Sequence, residues 1–113
     1  MDAVFKALAD ASRRQLLDSL SRRGGQSQRQ LCADLAMTRQ AVSKHLAVLE
    51  DAGLVATVRR GREKLHYLNP VPIHEIYERW ISRYEQGRLE ALSNLKAALE
   101  EEAVLAEQES AHE

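Results

Sequence analysis

Apolar residues recur along most of this chain at spacings of three and four, and the places where that period changes mark its elements. Between Thr38 and Ala52, Val42, Leu46 and Leu49 fall at i, i+4 and i+7 with Ala41, His45, Val48 and Ala52 beside them, which predicts an amphipathic helix over 38–52. The opposite side carries Arg39, Gln40, Ser43, Lys44 and Ala47. Thr38 is placed as N-cap, and Gly53 supplies the left-handed residue that ends the helix. Upstream, Ser27-Gln28-Arg29-Gln30 has the S-x-x-Q form of a capping box and opens a short helix with Leu31 and Leu35 facing inward. Ala36 and Met37 leave only a brief turn, and two helices so joined form a helix-turn-helix. Downstream the period drops to two. Leu54–Val58 alternates and is β-branched, Arg59–Glu63 makes a turn, and Lys64–Asn69 alternates back, so 54–69 is predicted to be a two-stranded hairpin.

After the hairpin, Asn69-Pro70-Val71-Pro72 breaks the strand and starts a helix, because proline is tolerated at the first helical position. Ile73, Ile76, Trp80 and Tyr84 follow at spacings of three, four and four, and Ala91, Leu92, Leu95 and Leu99 extend the apolar side. One long helix over 72–99 is expected, bent or interrupted near Gly87. From Glu100 to the end at 113 the chain is rich in Ala and Glu, and this acidic tail is expected to fray into solvent.

The polar side of the 38–52 helix fits the roughly 12 Å wide major groove of B-form DNA. Arg39 can pair with guanine O6/N7 and Gln40 with adenine N6/N7, while Ser43 and Lys44 can hold bases or phosphates. His45, at the border of the helix, either packs on the wing or DNA or touches phosphate. Arg59, Arg60, Arg62 and Lys64 crowd the hairpin tip, and four cations in six positions repel one another unless an anion is near, for which phosphate is the obvious candidate. A charged helix face can also be merely solvated, and charges on an edge strand also block sheet-to-sheet pairing. Arg13 and Arg14 have two readings, as phosphate contacts or as ion-pair partners of Asp10 and Asp18.

Composition sets the size class. A chain of 113 residues with 44% apolar content is one small domain, expected over 1–99, whose modest core gains from a partner. The net charge of −1 argues against a nucleic-acid partner until it is resolved along the chain: 12 Lys/Arg against 7 Asp/Glu through Asn69 gives +5, and 4 against 10 from Pro70 onward gives −6. No apolar run approaches the roughly 18 residues of a membrane span, and no signal-peptide pattern opens the chain, so a cytoplasmic protein without a membrane partner is expected. The single cysteine, Cys32, cannot form an intrachain disulfide and reads as a small buried hydrophobe. His66, on the second wing strand, is expected at the edge and half exposed. Catalysis is excluded on geometry: Ser43 and His45, two apart on one helix, face different directions, and no glycine-rich phosphate loop or paired-carboxylate cleft accompanies them.

The run SKHLAVLEDAGLV with its following R-x-G-R turn and Y-x-L strand, preceded by VFKALADASRRQLLDSL, resembles the ArsR/SmtB-type winged-helix transcriptional repressors over about residues 3 to 99. That resemblance implies a mainly α fold with a small β-hairpin, a winged helix-turn-helix in the order α-α-α-α-β-β-α. It implies a homodimer built on the first and last helices. Here those offer Val4, Phe5 and Leu8, and then Ile73, Ile76, Trp80, Tyr84, Leu92 and Leu95, an apolar stripe longer than so small a core can use. The set expected to face DNA is Thr38, Arg39, Gln40, Ser43, Lys44, His45, Arg59, Arg60, Arg62 and Lys64, reading an inverted repeat as two helices about 34–36 Å apart. Many relatives of this type release DNA on binding metal. Their cysteine pattern, C-V-C before Asp-Leu, meets only Leu31-Cys32-Ala33-Asp34-Leu35 here, with one sulfur placed between the family's two. The last-helix zinc pattern meets His74, Glu75 and Glu78, with no Asp two residues before His74 and no second histidine before His112. No metal and no cofactor is therefore assigned, and the effector stays open. The alternatives are a metal-responsive derepressor using His66, His74 or Cys32 in a non-standard site, and a winged-helix module that binds protein. The latter would show exposed apolar anchors where Arg39, Gln40, Ser43 and Lys44 stand.

Overall fold

A computed structural model describes residues 1–111; His112 and Glu113, the end of the acidic stretch, lie outside the described residues. In chain order the elements are α1 (Asp2–Leu8), α2 (Ala11–Arg22), α3 (Gln28–Leu35), α4 (Arg39–Asp51), β1 (Val55–Arg60), β2 (Glu63–Leu68), α5 (Val71–Ile76), a π-helical segment (Tyr77–Ile81) and α6 (Ser82–Ala111). The mainly helical class with one antiparallel hairpin is as expected. The chain divides into two compact units, residues 1–74 and the residues from Glu75 onward.

In the first unit the starts of α2, α3 and α4 each have a local chemical cause. Asp10 caps α2 by accepting the Arg13 backbone N–H at 3.0 Å. Ser27 and Gln30 form the full capping box of α3: Ser27 Oγ accepts from Gln30 N at 3.2 Å, and Gln30 Oε1 accepts from Ser27 N at 2.9 Å. Ala36 ends α3 in the left-handed region at φ 52°, an uncommon conformation for a non-glycine residue. Thr38 Oγ1 then accepts from Ala41 N at 3.1 Å to start α4. The pair Gly61-Arg62 closes the hairpin with Gly61 at φ 64°, and β1 and β2 pair from Val55↔Leu68 to Arg60↔Glu63. Leu16, Leu20, Leu31, Val42, Leu49 and Leu54 form the buried centre on which α2, α3, α4 and the base of the wing converge.

Several expectations are corrected here. Of the two readings of Arg13 and Arg14, the ion pair of Arg13 with Asp10 is present at 4.0 Å, while both side chains are engaged chiefly by backbone carbonyls. Arg13 Nε donates to Ala7 O at 2.8 Å and its Nη2 to Lys6 O at 3.1 Å, while Arg14 donates to Leu8 O at 2.7 Å. The two guanidiniums thus satisfy the orphan carbonyls at the end of the seven-residue α1, and Asp10 lies at the edge of that arrangement, 4.0 Å from Arg13. His66 is buried rather than half exposed, at 3% relative exposure, because Gln26 bridges to it like a short third strand. His66 N donates to Gln26 O at 2.8 Å, and the ring Nδ1 lies 2.9 Å from the same oxygen. Gln26 is itself wholly buried, its side-chain amide donating towards Ser19 O, Ser19 Oγ and Arg23 O at 2.8–3.2 Å. Cys32 is half-buried rather than a core residue.

In the second unit the helix is irregular at Tyr77–Ile81 and not at Gly87, which sits inside regular α6. Tyr77 Oη donates to Glu85 Oε2 at 2.8 Å, spanning the π-helical turn, and the Arg79 guanidinium lies 5.3 Å from the Trp80 ring centroid. That hydrogen bond, with the negative charge of Glu85, raises the Tyr77 phenol above its ordinary value. The tail expected to fray from Glu100 is helical to Ala111. Ala, Leu and Glu are strong helix formers, and Lys96 pairs with Glu100 at 3.9 Å, so local propensity outweighs the acidic composition. Among the described residues no helix is long and apolar enough to cross a membrane.

Candidate nucleic-acid interface

The periodicity of α4 divides it into two faces. Val42, Leu46 and Leu49 are buried, and Arg39, Gln40, Ser43, Lys44 and Ala47 are exposed around one shallow groove. Gln28, the first residue of α3, donates its side-chain amide to Arg39 O at 2.9 Å and so ties the start of α4 to the preceding helix. Arg39 thereby projects from a backbone fixed on both sides, by the Thr38 cap and by Gln28. The hairpin belongs to the same unit, and Arg59, Arg60 and Arg62 are exposed at its tip. Between α3, α4 and the wing lies a cleft of about 570 Å³, lined by Arg29, Arg39, Arg62 and Lys64 together with Ser43, Glu50 and His66. Its four cations outnumber its two carboxylates, Glu50 and Glu63, so the lining is net positive although the chain as a whole is not.

Two residues expected on this surface have other partners. His45 is half-buried, with Nδ1 3.4 Å from Arg13 Nη1, so its ring turns toward the α1–α2 junction and away from the groove of Arg39 and Lys44. Lys64 lies 3.2 Å from Glu50 in the last turn of α4, which makes it an intramolecular ion-pair partner. Conversely, Arg29 and Glu50 line the cleft although sequence patterning gave no reason to single out either. Arg29 has only its place beside the capping residues, and Glu50 sits in the acidic last turn of an amphipathic helix. The Asp10 carboxyl is held below the ordinary carboxylate range, first by the Arg13 backbone N–H, which outweighs the opposing effect of burial, and then by the lesser contributions of the Arg13 and His45 charges.

The expected interface residues also separate. Val4 is a core residue of the first unit at 7% exposure, because the short α1 has only Val4 and Ala7 to anchor it. Phe5 and Ile73 are exposed, and Leu8 is half-buried. In the second unit Ile76 is half-buried, while Trp80, Tyr84, Leu92 and Leu95 are exposed, and so are Leu89, Leu99, Val104 and Leu105. These large apolar side chains together leave an extended apolar surface exposed on one helical unit.

The donors of a metal sensor fit poorly. Cys32 supplies one sulfur and lies in a cleft lined by Gln28, Arg29 and Arg39, where two guanidiniums oppose a divalent cation. Among the described residues no group of three or more His, Cys, Asp or Glu side chains is placed to hold a metal ion.

A model of the bacterial regulatory protein arsR family matches residues 10–57, from the cap of α2 into β1. The chain is 44% identical over 86 residues to the uncharacterized HTH-type transcriptional regulator YuzN of Bacillus subtilis, covering 71% of this chain and 94% of that one. It is 32% identical over 93 residues to the arsenical resistance operon repressor of Escherichia coli, covering 79% and 78%. Among solved structures it resembles an ArsR-like transcriptional regulator from Rhodococcus sp. RHA1, with a TM-score of 0.67, 32% identity and coverage of 88% and 89%.

Proposed function

The chain belongs to the ArsR family of bacterial regulatory proteins and is a transcriptional regulator with a DNA-binding helix-turn-helix; from that premise we propose that it is a homodimeric repressor reading an inverted repeat in the major groove. The observation that carries the reading is the exposed, backbone-anchored row of Arg39, Gln40, Ser43 and Lys44 in the same compact unit as the arginine-tipped wing. Arg39 and Gln40 read base edges, Thr38, Ser43 and Lys44 hold the strand beside them, and Arg59, Arg60 and Arg62 grip phosphate. His45 and Lys64 are left out of this set because each is engaged within the protein.

Dimerisation rests on the exposed apolar side chains of the helical unit, from Trp80 to Leu105, with Phe5, Leu8 and Ile73 of the first unit as further apolar surface. A twofold partner covers such a surface with a copy of itself, and two copies present reading helices to one inverted repeat. Repression is carried over from the Escherichia coli relative, whose name describes it as a repressor of its operon; a dimer seated on a promoter obstructs polymerase by occupancy. The poor match of Cys32 and His74 to the family's sensing patterns supports regulation without metal at those positions.

Selection of bound duplexes from a random pool, run with Zn²⁺ and with a chelator, tests all of these elements. The expected result is a palindromic consensus that is the same in both arms. A single asymmetric half-site would remove the dimer, a consensus lost with Zn²⁺ would restore a metal-responsive derepressor, and no enrichment at all would remove the DNA reading.

A further inference from the structure

We propose that Glu50 is a positioning residue of the DNA interface that holds Lys64 against the reading helix and withholds it from phosphate. The inference rests on the DNA-binding reading above and adds to it a residue whose negative charge, beside an electropositive cleft, otherwise has no function.

The geometry begins with register. Lys64 sits directly opposite Arg59 in the hairpin, and two like charges in a cross-strand pair destabilise a sheet. Glu50 relieves that repulsion from outside the sheet, its Oε1 lying 3.2 Å from Lys64 Nζ. The same oxygen lies 3.8 Å from His66 Nε2, is enclosed by protein, and receives no aligned hydrogen bond. The contact with Lys64 is therefore Coulombic rather than directional.

His66 is the more distant of the two partners of Glu50 Oε1, its Nε2 at 3.8 Å against 3.2 Å for Lys64 Nζ, and its ring is held from the other side by the Gln26 carbonyl, 2.9 Å from Nδ1. Lys64 is thus the nearer partner, and its side chain is 48% exposed. Released from Glu50, that ammonium has solvent access at the mouth of the cleft that Arg29, Arg39 and Arg62 also line, and it is still repelled by Arg59.

A purely structural role for Glu50 and this role predict opposite signs. If Glu50 only braces the wing, its loss weakens DNA binding. If it withholds Lys64, its loss adds one phosphate contact per protomer. The experiment measures affinity for a random-sequence duplex across a salt titration with the full chain as wild type, Glu50→Gln, Lys64→Gln and the double variant, with circular dichroism as a check on folding. Glu50→Gln is expected to steepen the slope of log affinity against log salt by about 0.9 per bound protomer and to tighten binding roughly 5- to 10-fold at low salt. Lys64→Gln alone is expected to leave the slope as it is, and the double variant to return to it.

An unchanged or shallower slope in Glu50→Gln would overturn the proposal. So would a slope flattened by Lys64→Gln alone, which means that Lys64 already lies on phosphate. The latter arm decides the matter even if Glu50→Gln does not fold. Wild-type protein that binds no duplex at any salt would instead remove the DNA-binding reading, and this inference with it.

Discussion

Replacing Arg39 with alanine separates base reading from charge. Arg39 is exposed on the first turn of α4, and its carbonyl is held by Gln28 at 2.9 Å while Thr38 caps the helix beneath it. Truncation therefore removes a side chain without shifting the helix that carries it. A bidentate arginine–guanine contact discriminates against the wrong base by about 1–3 kcal/mol. A twofold site uses two copies, so operator affinity falls by about 2–6 kcal/mol, or roughly 30-fold to more than 10,000-fold. A scrambled duplex loses only the two charges, which alter its affinity through the salt-dependent component alone. The assay is a fluorescence-anisotropy titration of wild type and Arg39→Ala against the selected operator and a scrambled duplex at one salt concentration. The ratio of the two affinities is expected to fall by that factor, leaving the discrimination that Gln40 supplies. A variant that loses equal affinity for both duplexes would show that Arg39 is a phosphate contact, and base reading would have to move elsewhere on the helix.

Arg60→Ala with Arg62→Ala should weaken binding to operator and scrambled duplex alike and flatten the salt slope by about 1.8 per protomer; an unaltered slope would place the wing tip away from phosphate. Trp80 is 49% exposed, and burying the exposed half of such a ring on both protomers of the proposed dimer contributes about 2–5 kcal/mol, so Trp80→Ala should dissociate the dimer at micromolar concentration in analytical ultracentrifugation while leaving the far-ultraviolet dichroism in place. An undiminished dimer would relocate the interface. Asp10 has a depressed folded-state pKa, so its contribution to stability is present above the ordinary carboxylate value of 3.8 and is lost as pH falls through the folded-state value. The melting-temperature advantage of wild type over Asp10→Ala should accordingly be full at neutral pH and shrink as the pH is lowered below about 4; a gap that does not change with pH would mean that the carboxylate charge does not matter to the cap.

The elements that could be read from sequence are those whose cause lies within a few residues. The Ser27–Gln30 box, the Thr38 cap and the Gly53 and Gly61 turns are all satisfied within one to three positions along the chain, and each is found where residue chemistry puts it. The buried face of α4 follows from its period alone. What escaped depends on partners distant in sequence. Burial of His66 is caused by Gln26, 40 residues earlier, and no alternation along β2 reveals it. The pairing of Lys64 with Glu50 needs the hairpin folded back over the end of α4, so a lysine beside an arginine-rich turn reads as one more cation for DNA. The ion pair of Arg13 with Asp10 is legible, but its hydrogen bonds to the carbonyls of Lys6 and Ala7 are not, because those partners carry no side-chain signal. At the far end the acidic character of Glu100–Glu102 hides ordinary helix-forming residues, and the π-helical turn at Tyr77–Ile81 has no local sequence mark at all.

The division of charge along the chain has a consequence for how the regulator operates. The first 69 residues carry a net +5, yet Arg13 and Arg14 are committed to the end of α1 and Lys64 to Glu50. The cations free to meet DNA in one copy are thus mainly Arg39, Lys44 and the three wing arginines, a handful of contacts whose affinity falls steeply with salt. A monomer so equipped binds weakly, and joining two makes the second engagement intramolecular, which multiplies rather than adds to the first. In the proposed dimer the free energy of pairing the helical unit therefore enters operator affinity directly. On this reasoning the exposed apolar surface from Trp80 to Leu105 is as much a part of sequence recognition as the reading helix, because a change that loosens it lowers occupancy without altering any contact to a base.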